Sequence, residues 1–112
     1  MNTPLVENMT NPMCRAAYLG HQNITAILLK HGADINIRSS EGRTPLIWCG
    51  FRNHTKLAQF LLENGATLDL EDNQGWNALD IAIIRMNYEV AFLFYQCGLK
   101  PKEKELYMPH LW

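Results

Sequence analysis

Two cysteine–histidine pairs in this 112-residue chain contain residue types that can bind a metal. Cys14 precedes His21, and Cys49 precedes His54. The chain has neither a Cys-x2-Cys pair nor a close pair of histidines, which are the spacings typical of zinc sites. The two histidines lie 33 residues apart, and this interval recurs elsewhere in the chain, so a repeated structure explains them. We expect no metal site.

The acidic run from Asp69 to Gly75 has a composition that could form a calcium-binding loop. If Gly75 were the sixth residue of such a loop, its first and last ligands would be Leu70 and Ile81. Neither side chain can coordinate a cation. The run is therefore predicted to be a turn.

Nucleophilic catalysis would require a cysteine or serine beside a basic histidine and an orienting carboxylate. Cys49 and Cys97 are expected on apolar faces, and the loop serines Ser39 and Ser40 have no such partner nearby in sequence. The sequence also contains no Gly-x-Ser-x-Gly elbow and no phosphate-binding glycine loop. We expect no enzymatic activity and no cofactor.

The composition indicates a folded chain without a strong overall field. Ten basic residues balance eleven acidic ones, and 47% of the residues are hydrophobic. We therefore expect neither nucleic acid nor a membrane as a partner. Three cysteines, an odd number, together with the absence of a secretory leader pattern, favour reduced thiols and a cytoplasmic or nuclear location.

A 33-residue period organises the chain. Gly32-Ala33 recurs as Gly65-Ala66, and Gly98 follows after the same interval. The period predicts three units, at about residues 9–38, 39–71 and 72–99. They are flanked by an N-terminal segment, 1–8, and a C-terminal tail, 100–112. Because residues 1–8 do not supply a complete loop, we expect the first unit to be truncated.

Each unit is predicted to contain two short helices. The first helices begin at the capping residues Asn11, Thr44 and Asn77. The interior glycine Gly50 is explained if neighbouring helices approach closely there. The second helices carry apolar stripes at Ile24, Ile27 and Leu28, at Leu57, Phe60 and Leu61, and at Val90, Leu93 and Phe94. Because each stripe is one-sided and short, the units must stack to bury it.

Between the units, the runs 34–43 and 67–76 end in turn-rich sequences around Gly42 and Gly75, which predicts protruding hairpin-like loops. On these motifs the chain resembles the ankyrin repeat family. The resemblance rests on Thr44-Pro45-Leu46, on the Gly20-His21 pair and on paired leucines followed by Gly-Ala, as in Leu61-Leu62 and Gly65-Ala66. It implies an all-α solenoid of helix-turn-helix units joined by hairpin-like loops. Ile47 and Asp80 depart from the family pattern, because they replace the histidine that braces the loop.

The resemblance also implies a function, that of a scaffold or adaptor module that binds another protein. In such proteins the loop tips and the exposed ends of the first helices line a concave groove. The corresponding positions are Arg38, Glu41, Arg43, Phe51, Arg52, Glu71, Asn73, Trp76, Ile84 and Arg85. Aromatic residues and arginines dominate the energetics of protein interfaces, which favours this set. Three units make a small groove, so modest affinity is expected.

An alternative interpretation is a structural spacer or self-associating segment of a larger repeat protein. It rests on apolar residues near both ends: Leu5, Val6 and Met9 at one, and Phe92, Tyr95 and Trp112 at the other. The tail 100–112 is apolar enough to fold back as a cap over Phe92 and Tyr95. Asn36 resembles ankyrin asparagines that are hydroxylated. The alternative for Asn36 is that it only forms hydrogen bonds within its loop.

Overall fold

The computed structural model describes residues 11–102, which form six α-helices and, within that range, no β-strand. The helices are α1 (Pro12–Leu19), α2 (Gln22–Lys30), α3 (Pro45–Arg52), α4 (Thr55–Glu63), α5 (Ala78–Ile84) and α6 (Tyr88–Gln96). They pair as three helix-turn-helix units, which confirms the predicted all-α solenoid. The predicted segment 1–8 and all but the first residues of the predicted tail lie outside the described residues.

The first helix of each unit begins at its predicted cap. Asn11, Thr44 and Asn77 each accept a hydrogen bond from the backbone N–H three residues further on, over 2.7, 3.3 and 2.8 Å. At Asn77 the bond is reciprocated, because the Asp80 carboxylate accepts the Asn77 N–H at 3.0 Å. These bonds satisfy backbone donors that a helix start otherwise leaves free. Local sequence alone therefore fixes where α1, α3 and α5 begin.

The first helices of neighbouring units are in much closer contact than the second helices. The stack therefore curves, with α1, α3 and α5 on its concave side. Gly50 shows how close the approach is, since a Cβ there would lie 2.9 Å from the Ala78 carbonyl oxygen and 3.2 Å from the Phe94 ring. The prediction that Gly50 permits a close helix approach is confirmed.

One apolar core runs through all three units. Its largest fully buried side chains are Trp48, Phe94, Met13, Leu46, Ile47, Leu61, Leu79 and Val90. No unit could exclude water from its own share of these side chains, so burial couples the units to one another.

In the first unit the predicted stripe of α2 is wrong at Ile24 and Ile27, whereas Leu28 packs against the core. Ile24 and Ile27 are 47% and 57% exposed, whereas Thr25 between them is fully buried. The equivalents of Ile24 in the later units, Leu57 and Val90, are buried. Those two positions belong to units that have another unit in front of them, and the first unit has none among the described residues. Burial at this position depends on the neighbouring unit and not on the helix alone.

The loops between units are hairpin-like, as predicted. In the first, the Ser39 N–H donates to the Arg43 carbonyl and the Gly42 N–H to that of Ser39, both at 2.9 Å. The second repeats the pattern, from Asp72 to Trp76, at the same distance.

Neighbouring hairpin tips are joined directly. The Asn73 N–H and side-chain amide donate to the carbonyls of Glu41 and Ser40, each at 3.0 Å. Gly42 permits this approach, because its φ is +78° and a Cβ there would lie 2.8 Å from the Asn73 nitrogen. The tips therefore form a continuous hydrogen-bonded edge.

The turns inside the units are also tied to the preceding unit. The His54 ring nitrogen Nε2 lies 2.9 Å from the Tyr18 carbonyl oxygen. Asn87, 33 residues later, donates from its side chain to the carbonyls of Gly50 and Phe51, both at 2.9 Å. The two residues differ in type but make the same connection.

After α6 the chain continues along the third unit. Leu99 is buried, and the Asn77 amide donates to the Lys100 carbonyl at 3.0 Å. The Lys102 N–H donates to the buried Asp80 carboxylate at 2.9 Å. Asp80 thus braces the chain where the family pattern has a histidine. The cap predicted for the tail depends on residues outside those described, and it stays a prediction.

Candidate functional site

The buried thiols are held in a structural role. The Cys14 sulfur lies 3.4 Å from the Arg43 carbonyl oxygen and 3.6 Å from that of Ile37, which ties α1 to the base of the first hairpin. Burial raises the pKa of the Cys14 thiol to about 11. Burial likewise raises the pKa of Cys49. A neutral, buried thiol is a poor nucleophile and a poor metal ligand.

Cys97 corrects the sequence-based prediction, because it is exposed and does not lie on a buried apolar face. It follows the last residue of α6, where the helix has already ended. His21 is exposed as well. Across residues 11–102, no three histidine, cysteine or acidic side chains come together where they could hold a metal ion. No helix in that range is long and apolar enough to span a membrane.

Three aromatic rings meet at the ends of α1 and α3 on the concave side. The centroid of Trp48 lies 5.5 Å from that of Tyr18 and 5.2 Å from that of Phe51, both in edge-to-face geometry. The Tyr18 and Phe51 centroids are 6.3 Å apart. Trp48 is fully buried, whereas the other two rings are half-buried. The buried indole therefore supports two rings that reach the surface.

Three guanidinium groups lie over these rings. Arg43 is 4.9 Å from the Trp48 centroid and 5.0 Å from that of Phe51. Arg52 is 4.5 Å from the Tyr18 centroid, and Arg85 is 4.1 Å from that of Phe51. The arginine–aromatic cluster, as we call it, consists of Arg43, Arg52, Arg85, Tyr18, Trp48 and Phe51. Stacking on a ring holds a guanidinium in place through its attraction to the π face.

The three arginines differ in their other partners. Arg43 forms an ion pair with Asp72, its Nε lying 3.4 Å from Oδ2, and the two side chains are only 16% and 2% exposed. Arg52 and Arg85 are exposed, and neither makes a side-chain hydrogen bond or ion pair with any residue from 11 to 102. Two of the three charges are therefore available to a ligand.

At the hairpin tips, most of the predicted contact residues are used within the protein. Arg38 donates to the carbonyls of Gly42 and Glu71, at 3.0 and 2.6 Å. The Glu41 carboxylate accepts from the Ser39 hydroxyl at 3.0 Å. The structure therefore divides the predicted contact residues into two groups. One group joins the hairpin tips to each other, and the other lies at or beside the arginine–aromatic cluster.

The remaining predicted contact residues also belong either to the hairpin tips or to the surroundings of the arginine–aromatic cluster. The Glu71 carboxylate lies 3.2 Å from the Lys102 ammonium, and Asn73 joins the two tips. Trp76 is half-buried and packs against the core. Ile84 is 46% exposed and directly precedes Arg85.

Trp48 was missed by the sequence reasoning, although it supports the whole cluster. The equivalent positions in the other units hold Arg15 and Ile81, so the 33-residue period gives no signal for a ring there. One signal was present, since Trp48 and Phe51 are three residues apart and therefore adjacent on a helix surface.

The Asn36 side chain is bound across the unit boundary. Its amide donates to the Thr67 hydroxyl and its oxygen accepts the Thr67 N–H, both at 3.0 Å. The Asn36 N–H also donates to the Asp34 carboxylate at 2.9 Å, within the loop. The alternative that Asn36 bonds only within its loop is therefore wrong. Hydroxylation of Asn36 stays a prediction, and an enzyme would first have to break the pairing with Thr67.

Similarity to known proteins agrees with this architecture. Residues 13–105 match the family model for ankyrin repeats, in three copies. A stretch of 43 residues is 44% identical to the ankyrin repeat-containing protein P1E11.10 of Schizosaccharomyces pombe. That stretch covers 38% of this chain and 21% of the yeast protein, so the likeness concerns repeats and not the whole relative.

Proposed function

The chain belongs to the ankyrin repeat family, whose members are generally protein–protein interaction modules, and on that premise we propose that it is a non-catalytic adaptor or scaffold. It would bind a partner protein through the concave face formed by the ends of α1, α3 and α5. The observation that carries the proposal is the arginine–aromatic cluster.

The chemistry of this face supports binding. Arg52, Ile84 and Arg85 are exposed, and the Arg85 guanidinium lies over the half-buried Phe51 ring. Exposed arginines and aromatic rings on a rigid support are the residues that contribute most to interface energies. The rings are held by the buried Trp48, so little side-chain entropy would be lost on binding.

The state of the thiols supports the non-catalytic part of the proposal. Cys14 and Cys49 are buried, unpaired and shifted towards the neutral form. Free buried cysteines are usual in reducing compartments, which favours the cytoplasm or the nucleus.

The test is a differential pull-down from cell extract with quantitative mass spectrometry. The face variant carries Arg52→Ala, Ile84→Ala and Arg85→Ala, and we expect it to lose the partners that the intact chain captures. A matched control carries Lys56→Ala and Gln59→Ala, two exposed residues of α4 on the other side of the stack. The control should keep those partners. Loss in the control together with retention in the face variant would refute the proposal.

A self-associating spacer is the second candidate function, and an apolar surface on α6 favours it. Tyr88, Phe92 and Tyr95 are 51%, 60% and 44% exposed. The apolar residues predicted for the opposite end lie outside the described residues. Sedimentation velocity over a concentration series decides the matter. A dimer that Phe92→Glu abolishes would favour the spacer, and a monomer at every concentration would eliminate self-association.

A further inference from the structure

We infer that the partner segment is an acidic peptide that places carboxylate groups on Arg52, over the Tyr18 ring, and on Arg85, over the Phe51 ring. The inference rests on the proposed function, because it names the chemistry of the segment that the concave face would bind.

Arg52 and Arg85 have unused hydrogen-bonding capacity within the described part of the chain. The Arg52 guanidinium stacks on Tyr18 at 4.5 Å and that of Arg85 on Phe51 at 4.1 Å. A cation–π contact of this kind does not use the N–H donors of the guanidinium in a hydrogen bond, so they remain available to an acceptor. Those donors match the two oxygens of a carboxylate, which arginine binds in a bidentate manner. Within residues 11–102, no carboxylate occupies them.

The two free arginines follow the period of the repeat. Arg52 and Arg85 are 33 residues apart, so they hold equivalent positions in consecutive units. The equivalent residue of the first unit is Leu19, which is 42% exposed. A peptide that crosses the stack would therefore meet two cations and then an apolar side chain. A parallel row of apolar surface runs beside them, made by Phe51 and Ile84. The expected ligand combines carboxylates with apolar residues.

Acidic residues surround the face at the hairpin tips. The hairpin tips carry Glu41, Glu71 and Asp72, and the last of these already neutralises Arg43. A long polyanion such as a nucleic acid would meet these acidic tips, and the net charge of −1 gives it no attraction at a distance. A short segment with a few carboxylates can use the two free arginines and avoid the tips. The charge pattern favours a peptide.

Selection from a random-peptide display library on the intact chain is the test. We expect the selected peptides to be enriched in Asp and Glu over the starting library, and the Arg52→Gln/Arg85→Gln variant to lose the enrichment. The best peptide is then compared with its Gln and Asn counterpart by fluorescence anisotropy. Each lost arginine–carboxylate pair should weaken binding by about tenfold. Added NaCl should weaken the acidic peptide and spare its neutral counterpart.

Lys30→Gln is the matched control, since Lys30 is an exposed cation at the end of α2 and not on a first helix. It should leave binding unchanged, and circular dichroism melting checks that every variant is folded. If the selected peptides are neutral or basic and Ile84→Ala weakens their binding, the inference is overturned. The proposed function would still stand in that case. A selection that returns no peptide dependent on the face would count against both. Tighter binding of a random single-stranded RNA than of the acidic peptide, lost in the double variant, would replace the peptide with nucleic acid.

Discussion

Arg38 in the first hairpin and Arg52 at the end of α3 are both exposed arginines, yet their guanidinium groups have different surroundings. Arg38 donates to two backbone carbonyls, one in its own hairpin and one in the next. Arg52 makes no side-chain hydrogen bond or ion pair among residues 11–102 and rests on the Tyr18 ring. Arg38 joins two hairpins, whereas Arg52 is held by a ring and has no internal polar partner among those residues.

The same contrast separates the two regions to which these arginines belong. At the tips, the polar groups of Asn73 and Glu41 form hydrogen bonds with neighbouring chain segments. On the concave face, the Arg85 guanidinium lies over the Phe51 ring and has no carboxylate partner in the described part of the chain. Exposure alone does not identify a binding residue. Arg52 and Arg85 differ from Arg38 in having no internal polar partner among residues 11–102, and the proposed binding role rests on that difference.

Trp48→Ala should give the largest effect, because this indole lies beneath both regions. It supports the rings of the cluster, and its N–H donates to the Ser39 hydroxyl of the hairpin at 3.3 Å. Removing a fully buried tryptophan typically costs about 3–5 kcal/mol of unfolding free energy. Urea denaturation measures the loss. Trp76→Ala removes the same atoms from a half-buried site and should cost roughly half as much. Equal losses would mean that Trp48 has no special supporting role.

Gly42→Ala tests the hairpin tips alone. Alanine disfavours the φ of +78°, and its Cβ would meet Asn73, so the junction between the two tips must shift. We expect a loss of about 2 kcal/mol or more. Gly32→Ala is the matched control, because Gly32 also has positive φ but no atom within 4 Å of the added Cβ. The control should cost about 1 kcal/mol, which is the backbone contribution alone. If the two substitutions cost the same, the contact between the tips contributes nothing.

Much of the fold could be predicted because its determinants are local. Asn11 and Thr44 cap helices through bonds to residues three positions away, and a capping residue before proline is visible in any sequence. The 33-residue period then placed the units. Ile24 was mispredicted because a helix pattern shows which side chains are apolar and not whether another unit covers them.

The candidate site was only partly predictable for the same reason. The family pattern selected Arg38 and Arg52 equally, since both are polar residues at positions that face a partner. What distinguishes them is a bond from Arg38 to Glu71, a full unit away, and a ring contact from Arg52 to Tyr18 in the preceding unit. Such contacts depend on how the units stack, which is a property of the folded chain.

Stability at alkaline pH should report on the base of the first hairpin through Cys14. Its pKa is raised from 9.0 to about 11 in the folded state, so the folded protein holds the thiol proton more tightly than the unfolded chain does. The stabilisation is complete below pH 9 and is lost as the pH rises to about 11. Between neutral pH and about pH 10, Cys14 alone should account for a loss of about 1 kcal/mol.

Cys14→Ala isolates this effect from the titration of other groups. Denaturant unfolding in the presence of a reducing agent, at neutral pH and at about pH 10, gives the pH-dependent loss for each protein. The variant should show a smaller loss than the intact chain, although it starts from a lower stability. Cys49 contributes with the same sign in both proteins, because burial raises its pKa as well. An unchanged pH-dependent loss in the variant would show that the Cys14 thiol is not buried at the base of the hairpin.

Arg38→Gln and Arg52→Gln give the smallest changes in stability and the most direct test of the contrast between tip and face. Glutamine is too short to reach both carbonyls that Arg38 joins, so Arg38→Gln should cost about 1 kcal/mol and leave acidic-peptide binding within about twofold. Arg52→Gln loses only an exposed ring contact and should cost about 0.5 kcal/mol or less. The same substitution removes a free cation from the face, so peptide affinity should fall by about tenfold. Urea denaturation and anisotropy titration on the same samples separate the two quantities. If both variants had equal effects on stability and on affinity, the hairpin tips and the concave face would form one surface with one role.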